Sequence, residues 1–223
     1  MMWELSDHDS VGGGRLFCLP KNKGGIFMPT FLVIVSLVWI AFYLYEVRKV
    51  KWTTSLVVQT AMFVALSFVL SMIKFYHYPQ GGSLSLASML PLMLCGILYG
   101  PGVGMTAGVA SGLLSLMTDF YVIHPAQLML DYFLPNMMFG LSGMFGTTGK
   151  IRPALGALVC SVLSVFCNVL SGVVFFAAYA GEMNVWRYSI IYNCSTNGIE
   201  ALLSIAILLV LPLARLRKQL KKE

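Results

Sequence analysis

The sequence is poor in charge. Asp, Glu, Lys and Arg make up 11% of its 223 residues, where soluble domains carry roughly 25%. So few charges cannot cover a water-facing surface, which excludes a disordered chain and an ordinary cytosolic enzyme. Cysteine is scarce too. The five residues Cys18, Cys95, Cys160, Cys167 and Cys194 are odd in number and form no CxxC pair. This excludes a disulfide-rich secreted fold and gives no metal-ligand set; the cysteines read as small hydrophobes. Catalytic signatures are missing: the sequence has no HExxH, GxSxG, Walker A or Rossmann glycine pattern. The chain is therefore not expected to be an enzyme or to bind a cofactor, and it has no means of hydrolysing ATP by itself. Asp7-His8-Asp9 lies in a polar N-terminal stretch and reads as solvated tail.

What is present is apolar. The set AVILMFWYC makes up 58% of the chain, and the mean hydropathy is +0.80. The length, about one and a half ordinary domains, leaves a polytopic membrane protein with little mass outside the bilayer. A spanning helix needs about 20 mostly apolar residues. Residues 1–28 read as a flexible tail, with Met28 as an alternative start. An additional helix at 29–46 has no small-residue cleavage site after it, so it reads as retained rather than as a signal peptide. A six-helix membrane domain, the candidate for substrate binding on the residues and motifs given below, then covers 52–213, and a basic tail covers 214–223. The expected core helices are Thr54–Ile73, Leu84–Leu98, Val103–Thr118, Pro125–Phe145, Pro153–Ala178, and a sixth from about Trp186 to Leu213. The fold class expected is an all-α membrane protein, a six-helix core plus one N-terminal helix.

The net charge of +6 is unevenly spread. Arg48, Lys49 and Lys51, then Lys150 and Arg152, then Arg215, Arg217, Lys218, Lys221 and Lys222 fall on one side of such a core. By the positive-inside rule that side is cytoplasmic. The loops at 74–83, 119–124 and 181–186 then face outward, as does the 1–28 tail. No basic face belongs to a soluble unit, so nucleic acid is not an expected partner.

Gly96, Gly100, Gly104, Gly108 and Gly112 recur every four residues, a stripe that lets a neighbouring backbone approach closely. Two acidic residues sit inside the expected spans, Asp131 and Glu200, and intramembrane ionisable groups are costly enough to be functional candidates. His124 and Gln127, at i−7 and i−4, share a helix face with Asp131. At 1.5 Å per residue Asp131 lies about 10 Å in from the outer end. Asn168, with Ser164 and Gly172 a turn either side, and Tyr188, Tyr192 and Asn193 reach a similar depth. Tyr121, Tyr132, Phe175, Phe176, Tyr179 and Trp186 surround them. A carboxylate, aromatic faces and amides in an apolar setting suit a small organic cation. The competing reading is interhelical polar packing.

Five motifs occur in order: Tyr-Pro-Gln-Gly-Gly-Ser-Leu-Ser-Leu-Ala-Ser-Met-Leu-Pro ending at Pro91, Tyr-Gly-Pro from Tyr99, His-Pro-Ala-Gln-Leu-Met-Leu-Asp-Tyr from His124, Phe-Cys-Asn-Val-Leu-Ser-Gly-Val-Val-Phe-Phe from Phe166, and Met-Asn-Val-Trp-Arg-Tyr-Ser-Ile-Ile-Tyr-Asn from Met183. Together, over about residues 52–212, the chain resembles the ThiT family, the thiamine-specific S components of energy-coupling factor (ECF) transporters. The resemblance implies a six-helix fold in a bacterial cell membrane that captures thiamine from outside. It also implies transport through a transmembrane coupling protein and two cytoplasmic ATPases. It matches Asp131 and Tyr132 to ligand contacts on the fourth core helix, Tyr188 and Asn193 to contacts on the sixth, and Ala61 and Ala65 to the small-residue motif that docks the coupling protein. The expected ligand-binding set is Asp131, Tyr132, Asn168, Tyr188, Asn193, Phe176, Trp186, His124, Gln127 and Glu200. The chain departs from the family at Asn168, where His is usual, and at Phe176, where some members have Trp. The loop at 80–83 lacks a Trp, with Tyr76 or Tyr78 as substitutes. Helix six reads Asn-Cys-Ser-Thr-Asn-Gly-Ile-Glu from Asn193 rather than the commoner Asn-Gly-Ser-Tyr-x-x-x-Glu. Competing functions are an S component for another vitamin or a thiamine precursor, an intramembrane enzyme, and a structural membrane subunit.

Overall fold

The computed structural model describes residues 27–78, 82–118, 122, 124–146 and 149–220. The 1–28 tail up to residue 26, with Asp7-His8-Asp9 and Cys18, and most of the 119–124 loop, with Tyr121, lie outside the described residues. Helix α1 is Phe27–Arg48 and α2 is Thr54–Met72. Strands β1 (Lys74–His77) and β2 (Ser83–Ser85) follow, then α3 (Leu90–Tyr99) and α4 (Pro101–Thr118). A fifth helical rod, α5, covers 125–145, α6 is Ile151–Phe175, α7 is Val185–Val210, and a short α8 is Leu213–Leu220. The expected helical membrane architecture is present, with α1 outside the six segments α2–α7.

Three helices, Thr54–Met72, Ile151–Phe175 and Val185–Val210, are each long and apolar enough to cross a bilayer, with mean hydropathies of 1.9, 2.3 and 1.4. Local chemistry sets their starts. The Thr53 hydroxyl accepts the Leu56 N–H ahead of α2, and Asn184 Oδ1 accepts the Trp186 and Arg187 N–H groups ahead of α7. Both supply partners to amides that have none within the helix.

The structure corrects several expectations. The polar loop at 74–83 is in part an antiparallel hairpin, with Tyr76 opposite Leu84 and His77 opposite Ser83. The second core helix therefore starts at Leu90, not Leu84, because 83–85 is committed to a strand. At ten residues, about 15 Å long, α3 spans about half of a bilayer's hydrocarbon core. Helix α6 stops at Phe175 and gives way to a 3-10 turn at Ala177–Ala180. Pro212 ends α7 at Val210, and the expected basic tail is helical as far as Leu220.

The glycine stripe joins α4 to α5. A Cβ on Gly108 would stand 2.5 Å from the Asn136 carbonyl oxygen, and one on Gly112 would stand 2.6 Å from that of Tyr132. Gly96 and Gly104 both press on the Gly140 backbone. Gly100 is different. It has φ +97° and no neighbour within 4 Å, and it serves the turn between α3 and α4, where a left-handed backbone favours glycine. Leu92, Met93, Cys95, Val103, Phe139 and Leu208 centre one part of the core, and Met105, Leu134, Met137 and Cys160 the other. Helix α1 leans on α4. Tyr43 and Thr106 share a 3.3 Å hydroxyl hydrogen bond, and Gly102 lies against the Glu46 carbonyl.

Candidate functional site

Two of the rods are interrupted. In α5 the turn Met129–Phe133 is a π-helix, closed by the Leu134 N–H donating to the Met129 carbonyl. Pro135 follows it and has no N–H to return to residue 131, so the widened turn suits its place. The Asn136 amide donates to the Tyr132 carbonyl at 2.7 Å. In α7 the turn Cys194–Gly198 is also a π-helix. Asp131 lies within the first turn, Asn197 within the second, and Glu200 just beyond it.

These interruptions face a cavity of about 610 Å³. The hairpin contributes Lys74, His77, Ser83 and Ser85, and α2 contributes Ser67, Phe68, Ser71 and Met72. Ser111, Ser115 and Thr118 come from α4, Asp131, Pro135, Asn136 and Phe139 from α5, Ser164 and Asn168 from α6, and Asn197 and Glu200 from α7. The size is that of a small-molecule site, with walls rich in hydroxyls and amides.

The two carboxylates have different partners. Glu200 is 3% exposed. Its Oε1 accepts the Ser88 N–H at 2.7 Å and the Ser88 hydroxyl at 2.6 Å, and its Oε2 accepts the Ser85 hydroxyl at 2.7 Å. The Ser85 N–H adds a longer bond of 3.4 Å. Glu200 thus fastens β2 and the turn after it to α7. Asp131 has the side chains of Ser171 and Gln127 as polar neighbours. The buried hydroxyl of Ser164 has no hydrogen-bond partner among the described residues. Ser164, Asn168 and Ser171 occupy one face of α6, at positions i, i+4 and i+7.

Two further bonds hold the hairpin down. The Gly82 N–H donates to the Tyr192 hydroxyl at 2.7 Å, and the Tyr78 hydroxyl donates to the Ser195 carbonyl at 3.0 Å. Rings of Tyr76, Tyr78, Tyr192 and Tyr188 follow one another at centroid spacings of 4.9, 5.8 and 6.1 Å.

Of the expected ligand set, the cavity brings together Asp131, Asn168 and Glu200. The others lie elsewhere. Asn193 is buried and its amide donates to the Ser189 and Asn168 carbonyls, pinning α7 to α6. Gly172 makes room for this contact, since a Cβ there would meet Ser189. His124 caps α5, its Nδ1 accepting the Ala126 N–H at 3.1 Å, and stacks on Phe175. Gln127 is buried at 1% exposure beside Asp131. Tyr188 belongs to the ring series, Phe176 lies against Tyr179, and Trp186 is 44% exposed at the start of α7. The Tyr132 carbonyl faces Gly112 and Asn136. Sequence reasoning missed Lys74, His77, Asn136, Asn197 and the serines of α2 and α4. The Gly81-Gly82 pair between two short polar-apolar runs was the available sign of the hairpin.

Comparison with known proteins agrees with this architecture. Thiamine transporter ThiT of Bacillus subtilis (strain 168) is 33% identical over 180 residues, covering 74% of this chain and 92% of the relative. A solved structure of ThiT from Listeria monocytogenes superposes with a TM-score of 0.57 at 22% identity, over 75% of this chain and 94% of that one, a likeness of fold. A family model described as thiamine transporter protein matches residues 57–220. The helical core, the order of the motifs and these matches agree, and the chain belongs to the thiamine transporter protein family.

Proposed function

We propose that this chain captures thiamine, or a close pyrimidine or thiazole relative, in the 610 Å³ cavity, as the S component of an ECF transporter. The observation that carries this reading is the pairing of Asp131 with Asn168 in one serine-rich cavity beneath the tied hairpin. A thiazolium cation needs a negative partner in a partly dry site, and Asp131 supplies one. Glu200 is already engaged with four donors. The amides of Asn136, Asn168 and Asn197 offer donors and acceptors to an aminopyrimidine. The chain binds no cofactor of its own, and a coupling protein with two ATPases supplies the energy.

Ala61 and Ala65 support the partner reading. Both are exposed on α2, beside the exposed Met62 and Leu66, where another helix has access. The end bearing Lys49, Lys51, Lys150 and Arg152 is cytoplasmic on the positive-inside argument, so the cavity opens outward. Isothermal titration calorimetry of the purified chain with thiamine, its separate pyrimidine and thiazole halves and unrelated vitamins tests this. Saturable thiamine binding without ATP is expected. Tighter binding of an unrelated vitamin would overturn the thiamine assignment and favour an S component of different specificity.

A further inference from the structure

A second cavity, of about 460 Å³, lies at the opposite end of the molecule. Its walls come from four places: the end of α1 and the linker after it, the first turn of α2, the α3–α4 turn, and α8. Glu46, Lys49, Lys51 and Arg217 line it, giving three cationic groups and one carboxylate. Lys49 Nζ donates to Glu46 Oε1 at 2.6 Å, and that hydrogen bond holds the Lys49 ammonium above its ordinary pKa. Lys49 thereby engages the single carboxylate of the described lining, and Lys51 and Arg217 add two further cationic groups. Below them the lining is apolar, with Val50, Leu56, Leu98 and Val103.

The cavity depends on α1. Gly102 admits the Glu46 backbone, which would stand 2.7 Å from a Cβ there, and this contact brings the α1 end and Lys51 over the α3–α4 turn. Helix α8 completes the ring. Its Leu213 and Leu216 pack into the core while Arg217 turns to the cavity, the two-sided habit of a helix lying in a membrane interface. Trp52, beside Lys51, is 39% exposed, and tryptophan is enriched at that depth.

We infer that this cavity holds the headgroup phosphate of an anionic phospholipid, bound by Lys51 and Arg217, with the lipid's apolar part over Val50 and Leu56. Basic recesses between helices at the cytoplasmic boundary bind such headgroups. Arginine's five donors allow it to serve a phosphate alongside another partner. A free phosphate would gain nothing from the apolar floor, which is why the lipid is the occupant argued for.

The test is native mass spectrometry of the full chain in neutral detergent, titrated with phosphatidylglycerol and with phosphatidylcholine of matched chains. Wild type should retain phosphatidylglycerol about tenfold better, and Lys51→Gln with Arg217→Gln should bring the two lipids within about twofold. Lys150→Gln with Arg152→Gln removes as much charge from the same end outside the cavity, and should keep the preference. Equal retention by wild type overturns the inference without any variant. Equal loss in the control pair overturns it in favour of diffuse charge. Displacement of the lipid by millimolar inorganic phosphate overturns the lipid as occupant. If the double variant does not fold, Lys51→Gln alone should cost at least about threefold in the same ratio.

Discussion

Glu200 and Ser88, 112 positions apart in sequence, meet through two hydrogen bonds from the serine's amide and hydroxyl to one carboxylate oxygen. This contact makes Glu200 a fastener of the hairpin to α7. Replacing it by Ala takes the acceptor from the Ser85 and Ser88 amides and from the Ser88 hydroxyl, and leaves the Ser85 hydroxyl only its 3.2 Å bond to Ser88. Hydrogen bonds to charged groups contribute about 1.5–3 kcal/mol each, so the ligand-free protein should unfold at a clearly lower temperature. Differential scanning fluorimetry without ligand measures this. An unchanged midpoint together with lost thiamine binding would instead make Glu200 a ligand contact.

Asp131→Asn preserves shape and removes the charge. Thiamine affinity should fall by about 1.5–3 kcal/mol, the scale of a charged hydrogen bond. Calorimetry checks this, and equal affinity in the two proteins would remove Asp131 from the site. A neutral analogue lacking the thiazolium charge should also bind wild type more weakly than thiamine does.

Asn168 lines the cavity with Asp131, so the family's usual residue can be restored there as a test. Imidazole titrates near pH 6.5, whereas an amide does not. In Asn168→His, protonation places a cation beside the carboxylate proposed to pair with the thiazolium, so thiamine affinity should fall as pH drops from 8 to 5.5. Wild type should vary less over that range. Identical pH profiles for the two proteins would place residue 168 away from the ligand.

Ala61 and Ala65 are exposed, so bulky residues there meet no packed core. Ala61→Trp with Ala65→Trp should leave folding stability within about 0.5 kcal/mol at each site. Thiamine affinity should stay within about threefold, or about 0.65 kcal/mol. Co-purification with the coupling protein should be lost. Intact co-purification would count against this face as the docking surface.

The helices were legible in the sequence because apolar runs and caps are local signals. The start of α2 at Thr54 and the end of α4 at Thr118 emerge where the run of hydropathy predicts them. The hairpin was obscured because its strands, four and three residues long, are held largely by distant partners, Tyr192, Ser195 and Glu200. Asp131 and Asn168 were placed together because rise per residue gives depth along a helix. It gives no direction around the axis, so Asn193, at a suitable height, turned out to face the α6 backbone. A residue wheel at 3.6 per turn assigns His124, Gln127 and Asp131 to one face; of the three only Asp131 reaches the cavity wall, with Gln127 buried beside it and His124 spent on the helix cap. The lining serines of α2 and α4 looked like ordinary small residues of membrane helices.

Only Ile73 separates the end of α2 from the first strand of the cavity's cover. Helix α2, 19 residues long, is about 28 Å of stiff rod, with its outer side open along Val58, Met62, Leu66 and Val69. A tilt of roughly 6° about its Thr53 foot would carry the far end about 3 Å, the length of one hydrogen bond. A displacement of that size, passed on through Ile73 and β1, would part Gly82 from Tyr192. A body leaning on the outer side of α2 would then have mechanical leverage on the cover, without touching the cavity beneath it.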